Sequence, residues 1–309
     1  MRVTTFKLEE SLDFYIRHLK FEKNLTENSI NSYRKDIYHF INFIKKINIE
    51  DVAQLSLEIF RKYLKYLDGC KYANRTIIRK YSSFANYFKF LENNNFLKIQ
   101  LTQLIVAPKK HHRLYSFLTQ SEIKQLIESI DTTTNPGKRN KALIEVIYST
   151  GARISEVEGM TLKSVNLENN EIEVFGKGRK YRVVYLNQSA CKYLKKYLDI
   201  RNEFSFSSKT QNYRQDNSLF LNKFGNKLTV RGMRKILKKC LDECGISKKI
   251  SPHDIRHSFA THLLQEGAGI REIQELLGHE NISTTQTYTH LNLKKLKNDY
   301  DKFHPRAKQ

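Results

Sequence analysis

Several cationic and nucleophilic side chains in the second half of the chain stand at the edges of readable elements. Arg153 follows the turn that closes RNKALIEVIYSTG, Lys177 sits in a hairpin turn within FGKGRKYRVVYL, and His253 and Arg256 open SPHDIRHSFATHLL. Gly278-His279 and, nine residues beyond that histidine, Tyr288 lie in LGHENISTTQTYTH. His253 and Arg256 are three apart, so both fall on one face of a first helical turn, where backbone N–H groups also favour an anion. Phosphate is the ligand such a set suits. Two guanidinium groups can clamp its non-bridging oxygens, and donors already in place stabilise the charge developing in a pentavalent state. A phenol, with an ordinary pKa of about 10, needs a base or a strongly positive surrounding to act as nucleophile, and a hairpin lysine can protonate the leaving alkoxide. The chemistry implied is reversible, metal-free transesterification at a phosphodiester.

Each residue also has a plainer reading. A lone arginine or lysine among 54 Lys+Arg is more often surface than site, and Tyr288 is one of 17 tyrosines. His253, His257 and His262 raise a zinc-hydrolase alternative, since the first two are i,i+4. The residues between them, Asp-Ile-Arg, supply no glutamate at the metalloprotease position and an arginine that repels a cation. Cys70, Cys191, Cys240 and Cys244 form no CxxC pair, so they read as reduced thiols rather than a disulfide framework.

The elements that must position these residues fall into two halves. The first hundred residues read as helices, with apolar spacing in SLDFYIRHLKFEK, NSINSYRKDIYHFINFIKKI, LEIFRKYLKYL and RTIIRKYSSFANYFKFLENN. Their polar faces carry Arg34, Lys35, Arg75, Arg79 and Lys80 beside tyrosines, as a basic nucleic-acid face requires and as a solvated helix also shows. VAPKKHHRLYSF breaks the pattern and reads as a linker, placing a helical domain at 1–106, the linker at 107–117 and a second domain at 118–309. Thr119 and Glu122 fit a capping box that opens this second domain. NEIEVF and KYRVVYL alternate as strands around the turn that holds Lys177 and Arg179. The polar stretch SFSSKTQNYRQDNS reads as a mobile loop, and caps at Thr229, Ser251 and Ser283 with stops at Gly245, Gly267 and Gly278 frame further helices. The expected fold is mainly α with a small antiparallel β element. A formal net charge of +22 calls for a polyanionic partner, and DNA is the natural one. No apolar run approaches the roughly 18 residues of a spanning helix, so a cytoplasmic protein without membrane contact is expected.

TGARISEVEGM, FGKGRKYRVVYL, SPHDIRHSFATHLLQEGAGIREIQELLGHENISTTQTYTHL and the terminal HPRAK resemble the tyrosine recombinase (phage integrase) family, and more narrowly its bacterial Xer members. The likeness covers essentially the whole chain, and HPRAK leans toward the XerC side. It implies a two-domain DNA clamp, with a SAM-like core-binding domain and a catalytic domain closing on opposite sides of the duplex. It further implies that Arg153 and Arg256 bind the scissile phosphate, Lys177 protonates the 5′-hydroxyl, and His253 and His279 hydrogen-bond the phosphate. Tyr288 forms the 3′-phosphotyrosine bond, presented by a short movable helix, and Glu156 fits the acidic position that orients the site, a place a helix-surface carboxylate would fill equally well. Arg34, Lys35, Arg75, Arg79, Lys80 and Arg179 are the residues expected to meet DNA.

By the same resemblance, four protomers pair two dif-like sites and exchange strands through a Holliday junction, resolving chromosome dimers at cell division. No cofactor is required, because the phosphotyrosine conserves the bond energy. A second Xer recombinase and a DNA translocase are the further partners implied, and the terminal helix, 291–303, either docks on a neighbouring protomer, as is the family's habit, or packs in cis as an ordinary terminal helix. The alternative within the family is an integrase of a phage or mobile element, and from another class a catalytically silent DNA-binding protein.

Overall fold

The computed structural model describes residues 7–97, 116–176, 180–204, 217–278 and 290–306, with the backbone alone for 290–296. The chain divides into two compact units, Met1–Arg113 and Leu114–Gln309.

Among the described residues of the first unit there are four α-helices: α1 (Leu8–Phe21), α2 (Glu27–Lys45), α3 (Leu57–Gly69) and α4 (Asn74–Asn93). Thr26 and Ser56 start α2 and α3 by accepting the N–H of the third residue on, which satisfies a donor the helix cannot pair internally. The apolar stripes meet in an aromatic core of Phe40, Tyr63, Phe84, Tyr87 and Phe88. Within it lies a buried carboxylate, Asp36, which accepts hydrogen bonds from Arg79 and from Ser83 Oγ (2.8 Å), with Lys80 Nζ at 3.5 Å.

The second unit opens at the expected box: Thr119 N–H donates to Glu122 Oε2 (2.8 Å) and Glu122 N–H to Thr119 Oγ1 (3.2 Å), starting α5 (Gln120–Glu128). Next comes α6 (Asn135–Thr150), the centre of the unit, in which every residue from Lys141 to Thr150 is buried. A helix without a solvated face must be covered on all sides, and α5, strand β3 (Tyr181–Tyr185), α8 (Gln188–Ile200), α9 (Val230–Glu243) and α10 (Pro252–Gln265) cover it. Gly151 ends α6 at φ +56°, and a Cβ there would meet Phe259 at 2.5 Å, so conformation and space both require glycine.

A short helix absent from the sequence reading, α7 (Ile154–Gly159), follows at once. The sheet is antiparallel in the order β1 (Val165–Asn166), β2 (Glu171–Phe175), β3, with Ile172 opposite Val184, Val174 opposite Arg182 and Phe175 opposite Tyr181. Ile172, Val174 and Val184 face inward, and Glu173, Phe175 and Tyr181 outward, as strand alternation demands. The chain closes with α11 (Ile270–Leu277), stopped by Gly278 at φ +65°, and α12 (His290–Phe303).

The end of α12 packs against α6 of its own chain. Tyr300 is 1% exposed and its hydroxyl lies 2.7 Å from Ser149 Oγ; His304 is fully buried against Tyr148, Phe259 and Tyr300. Arg306 donates to Glu145 Oε1 (2.7 Å) and Ser189 Oγ (2.8 Å). Polar groups on α6 thus receive the terminal segment of the same chain. Among the described residues no helix is long and apolar enough to cross a membrane. The loop 205–216, the cap Ser283 and most of the linker lie outside the described residues.

Candidate active site

Three of the expected site residues converge where α6 ends, α7 begins and α11 stops. Arg153 is the N-cap of α7, and its N–H donates to Glu156 Oε2 (2.8 Å), the acidic half of a capping box. Its guanidinium donates to Glu156 Oε1 (2.9 Å) and reaches the Gly278 carbonyl at 3.4 Å. Arg256, on α10, sends one NH to the Gly151 carbonyl and the other to the Leu277 carbonyl, both at 2.7 Å. The two guanidiniums therefore grip consecutive carbonyls of one corner, 277 and 278, although the side chains come from different helices.

The electrostatics of this corner favour an anion. Arg256 is 4% exposed, and among the described residues both its hydrogen bonds go to main-chain carbonyls rather than to a carboxylate. Burial, followed by the like charge of Arg153, pushes its guanidinium down to about 10. Two positive groups held together in a low-dielectric setting repel, and a phosphate placed between them removes that repulsion. Arg153 remains about a third exposed, so a ligand can reach it from solvent, while Arg256 lies sheltered behind.

Glu156 is the surprise of the site. It could have been a surface carboxylate, yet it is 4% exposed. Burial pushes its carboxyl up, but the hydrogen bonds and charge of Arg182, together with Arg153, outweigh this and hold it below the usual carboxylate range. Arg182 NH1 and NH2 donate to Oε1 (2.8 Å) and Oε2 (2.9 Å), a two-pronged pair. Arg182 is not among the residues that the motifs single out. The signal was present in strand parity: Arg182 shares a face with Val184, and an arginine on the inward face must have a partner there.

His253 stands exposed on the first turn of α10, where Ser251 N–H and Oγ both donate to Asp254 Oδ2 (2.8 and 2.6 Å). Lys177, Arg179, His279 and Tyr288 lie outside the described residues. The zinc alternative does not match the described geometry. His262 is buried, its Nδ1 2.9 Å from the Tyr148 hydroxyl, and among the described residues no three His, Cys, Asp or Glu side chains group to hold a metal ion.

In the first unit, Arg34, Lys35 and Arg75 are exposed, as expected of a basic face. Lys80 corrects that expectation. Its side chain is 6% exposed beside Asp36, because position 80 lies on the same apolar stripe of α4 as Phe84, Tyr87 and Leu91. Burial lowers its pKa, and its ammonium is committed to Asp36 and to the ring of Tyr72, 5.8 Å away. Arg79 is half exposed but also tied to Asp36.

Comparison with known proteins shows the family. The model of the phage integrase family matches residues 116–295, and that of the phage integrase N-terminal SAM-like domain matches 12–95. Tyrosine recombinase XerC of Halalkalibacterium halodurans is 40% identical over 293 residues, covering 95% of this chain and 96% of that protein. Tyrosine recombinase XerD of Oceanobacillus iheyensis is 38% identical, covering 97% of this chain and 100% of that one. Among solved structures, the XerH site-specific recombinase in a post-cleavage complex with its palindromic difH substrate aligns with a TM-score of 0.68 at 23% identity. The alignment covers 95% of this chain and 84% of that one, a likeness of fold.

Proposed function

The chain belongs to the phage integrase family, and from that premise we propose that Arg153, Lys177, His253, Arg256, His279 and Tyr288 are the catalytic set of this tyrosine recombinase. The enzyme cuts and rejoins DNA by transesterification. Tyr288 Oη gives up its proton to a histidine of the set, His253 or His279, and attacks the scissile phosphorus, forming a 3′-phosphotyrosine as the bond to the 5′-oxygen breaks and Lys177 gives that oxygen its proton. Arg153 and Arg256 neutralise the non-bridging oxygens, with His253 and His279 hydrogen-bonded to the phosphate. Religation reverses these steps with the 5′-hydroxyl of the exchanged strand. The observation that supports the reading is the pair of arginines on the consecutive carbonyls of residues 277 and 278, the two residues that precede His279 in the sequence.

The substrate in this proposal is a dif-like site, recombined through a Holliday junction by a tetramer that contains this chain alone or with a second Xer-type recombinase. Chromosome-dimer resolution in the cytoplasm, with a cell-division DNA translocase as activator, is the cellular role that fits. A nicked duplex bearing the dif-like site of the host genome, incubated with the protein in EDTA and run on a denaturing gel, tests the chemistry. A covalent adduct that disappears in Tyr288→Phe is expected. Site-specific binding without any adduct, even with a partner recombinase added, would identify a catalytically silent binding protein instead.

A further inference from the structure

Resting on the recombinase reading, we infer that Arg182 is a positioning residue for strand cleavage, acting through Glu156 on Arg153 and on the corner at Gly278. Glu156 Oε1 is shared by Arg153 NH1 (2.9 Å) and Arg182 NH1 (2.8 Å), so the place of the exposed arginine is set by the more buried one. The same pair is the floor for two glycines. A Cβ on Gly278 would lie 2.9 Å from Arg182 Nε and 3.0 Å from its Cδ. A Cβ on Gly176 would lie 3.1 Å from Arg182 NH1 and 3.5 Å from Glu156 Oε1. Gly176 and Gly278 are the sequence neighbours of Lys177 and His279. One ion pair is thus the common reference for a phosphate-binding arginine and for the two glycines that directly precede Lys177 and His279 in the sequence.

Stability alone does not account for this arrangement. The inward face of β3 otherwise carries apolar side chains, and a buried ion pair is commonly no better than a well-packed apolar replacement. Among the described residues Arg182 Nε is buried without a hydrogen-bond partner, a cost that an apolar side chain would avoid. What an apolar residue would not do is hold Glu156 by both oxygens, and a lysine, a single point donor, would not do it either.

Arg182→Met, Arg182→Lys and wild-type protein, each full length, are compared in single-turnover adduct formation on the nicked duplex. One substrate has an ordinary scissile phosphate and the other a neutral methylphosphonate there, with melting curves and duplex binding measured alongside. A mispositioned Arg153 matters most where a full negative charge must be neutralised. Arg182→Met should therefore slow cleavage of the phosphate by about 100-fold while duplex binding stays near wild type. On the methylphosphonate the same variant should lose less than about tenfold, and lysine should not rescue cleavage of the phosphate. Equal losses on both substrates, a wild-type rate on phosphate, or full rescue by lysine would overturn the inference. Should Arg182→Met not fold, Arg182→Lys on the two substrates decides the same question. Absence of any Tyr288-dependent adduct from the wild type would remove the recombinase reading and this inference with it, whereas a wild-type adduct with an indifferent Arg182→Met removes the inference alone.

Discussion

Lys80 and Arg79 are adjacent, equally charged and held by the same carboxylate, yet only one of them keeps a face in solvent. The ammonium of Lys80 is buried beside Asp36, while Arg79 is half exposed. Phosphate affinity comes from cations that can release counterions, and a lysine already paired in a core has none to release. Lys80→Met is therefore expected to leave the salt dependence of duplex binding unchanged, whereas Arg34→Ala or Arg75→Ala should reduce the slope of log affinity against log salt by roughly one. Filter binding over a salt series checks this. A Lys80→Met slope that falls as far as those of the exposed arginines would return Lys80 to the DNA-binding face. Asp36→Ala should behave differently again. It leaves a buried cation unpaired and is expected to cost about 3–5 kcal/mol of stability, read from urea unfolding.

At the scale of elements, helix starts and stops were legible because each depends on residues no more than four apart. The Thr119–Glu122 box and the left-handed glycines at 151 and 278 are of this kind. The destination of the terminal helix was not legible. Its apolar spacing names no partner, and the seats of Tyr300, His304 and Arg306 against α6 are supplied by residues distant in sequence. This seat has a pH signature. Burial, then the charge of Arg306, lowers the His304 imidazole to about 3, against an ordinary value of 6.5. The folded state thus holds His304 neutral, and the unfolded state takes up its proton first as pH falls. The contribution is fully present above about 6.5 and is lost progressively toward pH 3, by at most about 1.4 kcal/mol per pH unit. Burial lowers His262 as well, so the two act in the same direction. The melting temperature should fall between pH 7 and pH 5, and His304→Phe should flatten that fall. An unaltered profile in the variant would show that the imidazole titrates normally.

For the molecule as a whole, the quantity that matters is the charge of +22. If a DNA clamp uses that charge, several phosphates are neutralised at once, and affinity for a specific duplex should drop by about 10³-fold or more between 50 and 200 mM salt. Equilibrium titrations at fixed temperature measure it. A drop of less than about tenfold would mean that most of the excess lysines only solvate the surface.

The sequence by itself determined the helical first unit, the strand alternation, the family motifs and the net charge, since each is written in residue type and in spacings within a turn or two. Tertiary structure alone decided by whom the sheltered charges are met. Glu156 and Arg182 are 26 residues apart, Arg153 and Gly278 are 125 apart, and Glu145 and Arg306 are 161 apart. Nothing local distinguishes a carboxylate between two guanidiniums from one in water. The difference arises when packing removes the solvent around Glu156 and leaves two arginines to replace it.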